Sequence, residues 1–277
     1  LIAQFDNKLL SSFLLLIDNK IQQKGQAFSN YSSQFYPISS NIQGQYVYSL
    51  PFKQICNDTS VSGAQIMSGL FINGTYTTVG SGNLVSINHY DGAAYFNTQL
   101  PKNTVISGDY AIKDFSIYLT DQPEYKLLFE TVYKTNNMYV QTLSGLSLDT
   151  RTFPIIYLKT KNDENKPFAL GGIENKTKVI RAIVIADTEY QRAAVANILK
   201  DMCYSPFYLY SGVPFDSMGN FTGKNYSFDD LQKDTSYFPW IMKVSSADIP
   251  SIGSYEPINQ NVCLVDFTIN TLTLHSY

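Results

Sequence analysis

Residues 179–186 read Val-Ile-Arg-Ala-Ile-Val-Ile-Ala, an almost wholly apolar run. β-Branched side chains at neighbouring positions favour an extended backbone. A strand that is apolar on both sides needs cover on both faces, which places it at the centre of a sheet. The rest of the chain must therefore supply flanking strands and packing elements. Asp187-Thr188 can cap the helix that follows. Along that helix Tyr190, Ala194, Ile198 and Met202 share one stripe, with Val195 and Leu199 beside them, and Pro206 closes it.

A second helix is expected over residues 5–24. Leu9, Leu10, Phe13, Leu14, Ile17 and Ile21 fall at helical spacing, Asp6 stands near the start, and Gly25 is a C-cap candidate. The run from Leu9 to Ile17 has the length of a secretory h-region. Against that reading, Asp6 and Asp18 bracket it and no small-residue cleavage site follows. It is also too short to span a bilayer. The expectation is an amphipathic helix docked on a sheet.

Between these helices the pattern changes. Residues 26–43 are rich in Ser, Asn and Gln and read as a loop. From about 45 to 134 the period is two, with strands expected over 45–56, 70–78, 84–96, 104–119 and 125–133. Asn73-Gly74 and Asp91-Gly92 mark hairpins. Short strands with such turns imply an antiparallel sandwich or small barrel. Residues 136–152 read as a linker. Phe153–Thr160 reads as a strand, Lys161–Lys166 as a polar turn, and Phe168–Gly172 follows. Later come a short strand at 207–210, a long polar loop at 211–239, and strands at 240–244 and 262–274. The fold class expected is α+β. Residues 1–43 and 136–277 form a sandwich of helix, mixed sheet and helix, with 44–135 inserted as an antiparallel β module.

Composition narrows the chemistry. Net charge is −3, so no basic excess exists to neutralise phosphates. Two histidines and three cysteines leave little for a His cluster, a zinc site or a disulfide scaffold. Cys56, Cys203 and Cys263 are widely spaced and read as free buried thiols. Six Asn-x-Ser/Thr sequences, at Asn30, Asn57, Asn73, Asn175, Asn220 and Asn225, read as products of an Asn-, Ser- and Thr-rich composition. Gly171-Gly172 and Gly80-Ser81-Gly82 do not lead from a strand into a helix, so no phosphate cradle is indicated. Gly253-Ser254-Tyr255 lacks the nucleophile-elbow pattern. His89 is a turn neighbour of Asp91, and His275 lies near the end of the sequence; neither makes a triad. Asp163-Glu164 and Asp229-Asp230 lie in polar stretches without calcium-loop spacing and read as solvated charge. No cofactor or metal is expected, and the chain reads as non-catalytic.

Several strings resemble a virion structural protein of contractile-tailed phages. They include Phe13-Leu14-Leu15-Leu16-Ile17-Asp18-Asn19-Lys20, Gly69-Leu70-Phe71-Ile72-Asn73-Gly74 and Ser107-Gly108-Asp109-Tyr110. Leu128-Phe129-Glu130, Phe153-Pro154-Ile155-Ile156-Tyr157 and Pro167-Phe168-Ala169-Leu170-Gly171-Gly172 continue the match, which covers most of residues 5–190. The resemblance implies a neck or head–tail connector protein of tail-terminator type, located in the virion and assembled in the host cytoplasm. It also implies a ring of identical copies, usually hexameric. The ring's partners would be neighbouring neck, tail-tube or sheath proteins, with DNA passing through the lumen and no membrane involved. The long segment 211–260 departs from the terminator layout.

Under that reading the polar stretches carry subunit contacts, since loops on rigid scaffolds do so. The expected interface residues are Lys161, Asp163, Glu164, Lys166, Asp229 and Asp230. A different class of function remains open: a secreted β-rich adhesin or carbohydrate-binding module. The 21 Tyr and 17 Phe support it, if some form an exposed platform.

Overall fold

The computed structural model describes residues 2–38, 44–128, 152–167, 173–249 and 261–274. The fold is α+β, dominated by strands. It opens with α1 (Phe5–Gly25), which ends on Gln26 in the left-handed region, so Gly25 is the last helical residue and not the cap. Gly25 serves packing instead: a Cβ there would stand 3.2 Å from Ile198 Cδ1.

An antiparallel sandwich follows. One sheet runs β1 (Phe28–Gln34), β8 (Ile106–Lys113), β4 (Gly69–Ile72), β5 (Thr75–Thr78). The other runs β2 (Tyr36–Pro37), β3 (Tyr46–Ser49), β7 (Ala93–Phe96), β6 (Leu84–Asn88). Their inner faces close over Phe35, Leu50, Met67, Leu70, Phe96 and Tyr110. Asn73 and Gly74 both have positive φ, as the two-residue turn between β4 and β5 requires. The β6–β7 connection is longer, with Asn88 Oδ1 accepting from the Tyr90 and Asp91 amides.

Residues 28–37, read as loop, are strands. Their Ser, Asn and Gln side chains sit on an outward-facing edge strand, where polarity costs nothing. The continuous alternation of 104–119 conceals a break. Asp114 and Phe115 separate β8, which stays in the sandwich, from β9 (Ser116–Leu119), which joins a different sheet. The sandwich strands thus run from Phe28 to Lys113.

That larger sheet has six strands in the order β12 (Ser205–Pro206), β15 (Tyr237–Ile249), β16 (Asn261–Leu274), β11 (Ile173–Ala186), β10 (Ile155–Pro167), β9. It is mixed, because β9 pairs with β10 in parallel and the others pair antiparallel. β11 is internal, as its composition demands: Ile183, Val184 and Ile185 are fully buried. α1 and α2 (Glu189–Lys200) both pack on one face, against Ile156, Leu158, Ala182, Val184, Val265 and Phe267. Thr188 caps α2 through its side chain, which accepts from the Gln191 amide at 3.2 Å. The buried stripe of α2 is Val195, Ala196 and Leu199, while Tyr190 is 85% exposed, so the apolar stripe is rotated from the expected one. Pro206 lies in β12, beyond the helix, and β13 (Leu209–Ser211) pairs with β14 (Gln232–Asp234) in a separate two-stranded sheet.

The opposite face carries Tyr157, Ile183, Ile185 and Val262, covered in part by Leu127 and Leu128. Residues 124–128 are helical, not a strand. Pro123 accounts for this, since its carbonyl accepts from Lys126 and Leu127. The expected linker at 136–152 lies almost wholly outside the described residues, as do Gly171-Gly172, Gly253-Ser254-Tyr255 and His275.

α1 is more than a helix docked on a sheet. Its Phe13 and Ile17 face the large sheet, Leu15 faces Tyr210, Tyr226 and Leu231, and Asp18, Asn19 and Gln22 are also buried. It is central and wrapped on several sides.

Candidate functional site

The expected interface residues do not come together. Lys161–Lys166 forms no turn; it continues β10, registered against β11 as far as Pro167 opposite Glu174. Polar residues are tolerated there because a long partner strand supplies a continuous ladder on one side, and a bulge between Thr160 and Asn162 adjusts the register. Asp163, Glu164 and Lys166 are registered opposite Lys178, Thr177 and Asn175. Lys161 Nζ stands 3.2 Å from Asp266 Oδ2 on the face away from α1 and α2.

Asp229 and Asp230 lie on the helix side, in a turn closed by the bond from the Asp230 amide to Ser227 O. Asp229 lines a groove of about 370 Å³ with Lys20, Lys24, Phe207, Tyr208 and Lys233. Lys233 Nζ sits 4.5 Å from the centre of the Tyr208 ring.

On the face away from α1 and α2, charges neutralise in one network. Arg181 reaches Asp266 with Nε at 2.6 Å and Nη2 at 2.7 Å, and Glu124 with Nη1 at 2.7 Å. The guanidinium holds the Asp266 carboxyl below the usual carboxylate range. Next to this network the same face is open. Phe238 (49% exposed) is registered with Leu272 (40%), and Trp240 (44%) with Asn270. Leu272 and Asn270 are registered in turn with Asn175 and Thr177 of β11. By register, two rows therefore cross the sheet, Phe238–Leu272–Asn175–Lys166 and Trp240–Asn270–Thr177–Glu164. Sequence reasoning missed this surface. The signal was the run Tyr237-Phe238-Pro239-Trp240-Ile241-Met242, which is apolar on both sides although β15 is covered on only one.

The remaining polar groups are structural in their contacts. His89 is buried between two carbonyls, with Nδ1 2.9 Å from Gly223 O and Nε2 3.0 Å from Met67 O. Burial pushes its pKa below the usual value, against the pull of those carbonyls. Asp91 instead accepts from Asn88 at 2.7 Å. Asp58 accepts from Asn19, from the Ser60 amide and hydroxyl, and from the Phe228 amide. A cavity of about 30 Å³ lies between Asp18, Lys113, Gln54 and Tyr226, with room for one water.

Cys56 and Cys263 are buried free thiols, pushed up by burial to about 12 and about 11, whereas Cys203 is free but only partly buried. The amides of Asn30, Asn57, Asn220 and Asn225 are engaged within the fold. Among the described residues, no group of three or more His, Cys, Asp or Glu is arranged to hold a metal. No helix among them is long and apolar enough to cross a membrane. The sequence matches no protein-family model and no curated protein.

Proposed function

We propose that this chain is a non-catalytic structural subunit of a phage neck or head–tail connector ring, in which identical copies close around a lumen that passes DNA. The observation that carries the reading is the open face of the six-stranded sheet. Phe238, Trp240 and Leu272 form an apolar centre rimmed by amide, hydroxyl and charged groups, the anatomy of a protein contact with an aromatic anchor. The strings that resemble phage virion proteins support the same reading. So does the order of leading helix, sheet strands, crossing helix and further strands that complete the same sheet. A head-to-tail contact through this face closes into a ring when its rotation is right. Electron microscopy of particles from the native source, with the chain located in the map, tests this. A ring at the head–tail junction is expected, and absence from every particle would remove the reading.

Phe238 and Trp240 also favour a second reading, a carbohydrate-binding module. Aromatic side chains two residues apart on one sheet face, beside Asn270, are suited to stacking on sugar rings. Saturable quenching of Trp240 fluorescence by an oligosaccharide would support that reading over the first.

A further inference from the structure

We propose that β15 continues the large sheet into a second copy of this chain, antiparallel and strand against strand, through residues 244–248. β12 covers β15 only as far as Ile241: Tyr204 N donates to Ile241 O at 2.9 Å and Phe207 N to Pro239 O at 3.2 Å. Residues 239 and 241 thus direct their carbonyls away from β16. One extra residue between Ile241 and Lys243 shifts the alternation. Val244, Ser246 and Asp248 then direct their N–H and C=O groups outward. Among the described residues no strand lies beside them, and residues 245–248 are exposed.

A row of alternating donors and acceptors is matched by an extended backbone. The opposite edge of the same sheet is guarded instead: beyond Leu158, where β9 ends, β10 carries Lys159, Lys161, Asp163, Glu164 and Lys166 and a bulge, and β9 itself is capped. There Gln54 acts as a substitute strand, with Nε2 donating to Ile117 O at 3.0 Å and Oε1 accepting from Ile117 N at 2.9 Å. With one edge capped or guarded by charge and the other bare, bare edge meets bare edge, and the contact is self-complementary about a two-fold axis. Centring it on Ser246 sets Val244 of one copy opposite Asp248 of the other and keeps both sheets facing the same way. Lys243 and Asp248 stand at opposite ends of the segment. In-register parallel pairing would set each charge against its own copy, which antiparallel pairing avoids, and Asp248 keeps its ion pair with Arg192, 3.1 Å away on the helix side. Ser245, Ser246 and Ala247 are small and place no bulk at the seam. A two-fold contact closes at two copies, so it does not depend on ring closure, which needs a separate surface.

The test is sedimentation of the purified chain over a range of concentrations, with amide hydrogen exchange of the same samples. The expected result is a monomer–dimer equilibrium, with exchange at Val244, Ser246 and Asp248 slowing as dimer forms. Ser246→Pro deletes only an outward donor, at an edge where Pro239 is already accommodated. It should weaken the dimer about tenfold or more in Kd at unchanged melting temperature. A chain that stays monomeric at every concentration overturns the inference. So does a dimer whose residue 244, 246 and 248 amides exchange as fast as in the monomer, and that reading stands on the wild type alone if Ser246→Pro does not fold. Microscopy of particles bears on the ring and leaves this result untouched.

Discussion

Lys113 of β8 places its ammonium 2.8 Å from both carboxylate oxygens of Asp18 on α1, deep inside the protein. The pair pins the central helix to the sandwich. Burial pushes the Asp18 carboxyl above the usual range, and Lys113 opposes that push. Lys113→Met would leave the carboxylate buried without its partner, at a cost of about 3–5 kcal/mol at neutral pH. Adding Asp18→Leu should recover most of that loss. A carboxyl whose folded pKa is raised contributes most below its unfolded pKa and loses the contribution as pH rises through the folded value. Lys113→Met should therefore be less destabilised near pH 4 than at pH 7. Urea unfolding of both variants at the two pH values checks this, and a double variant no more stable than the single one refutes it.

Gln54 caps β9 at the edge of the large sheet. It is buried, with φ of 51°, and both ends of its carboxamide bond the Ile117 backbone. Gln54→Ala keeps the unfavourable backbone and leaves a buried N–H and C=O unpaired, at a cost of about 1–3 kcal/mol. Hydrogen exchange should accelerate at Ile117 first. Unchanged protection of that amide in the variant would contradict the capping role.

Much of the architecture was legible where local pattern and tertiary environment agree. The run 179–186 announced a central strand, Thr188 a cap, and Asn73-Gly74 a tight turn, because each is decided within a few residues. The errors arise where partners distant in sequence decide. Lys161–Lys166 looks like a turn by composition, yet β11 holds it in a ladder. The break at Asp114-Phe115 is invisible to alternation, because Phe115 and Ile117 are buried in the helix-side core while Tyr110 and Ile112 belong to the sandwich. The open face around Trp240 was missed for the same reason. An apolar strand tells how much cover it wants, not which face lacks it.

The Arg181 network makes a pH prediction. Asp266 is held below its usual pKa, first by its bonds from Arg181 and then by Lys161. A depressed carboxylate contributes stability above its unfolded pKa, near 4, and loses it as pH falls through the folded value. Stability should therefore drop below about pH 4, and Asp266→Asn should flatten part of that drop while lowering stability at pH 7. Denaturant midpoints of wild type and variant between pH 7 and pH 3 decide it. Parallel curves would show that Asp266 does not contribute.

Trp240 is the only tryptophan in the chain and stands on the open face, so its fluorescence reports directly on what covers that face. If the face is a subunit contact, assembly should shift emission to the blue and protect the ring from a soluble quencher. Truncating an exposed side chain changes monomer stability by about 0.5 kcal/mol or less, whereas removing an aromatic anchor from an interface costs about 2 kcal/mol or more in binding. Trp240→Ala should thus leave the melting temperature nearly unchanged and strongly reduce incorporation into particles. Phe238→Ala should act in the same direction, because the two rings stand in neighbouring rows of the same sheet face. Normal incorporation of both variants would move the contact elsewhere on the molecule. Loss of oligosaccharide quenching with intact incorporation would show that sugar binding and assembly use different surfaces.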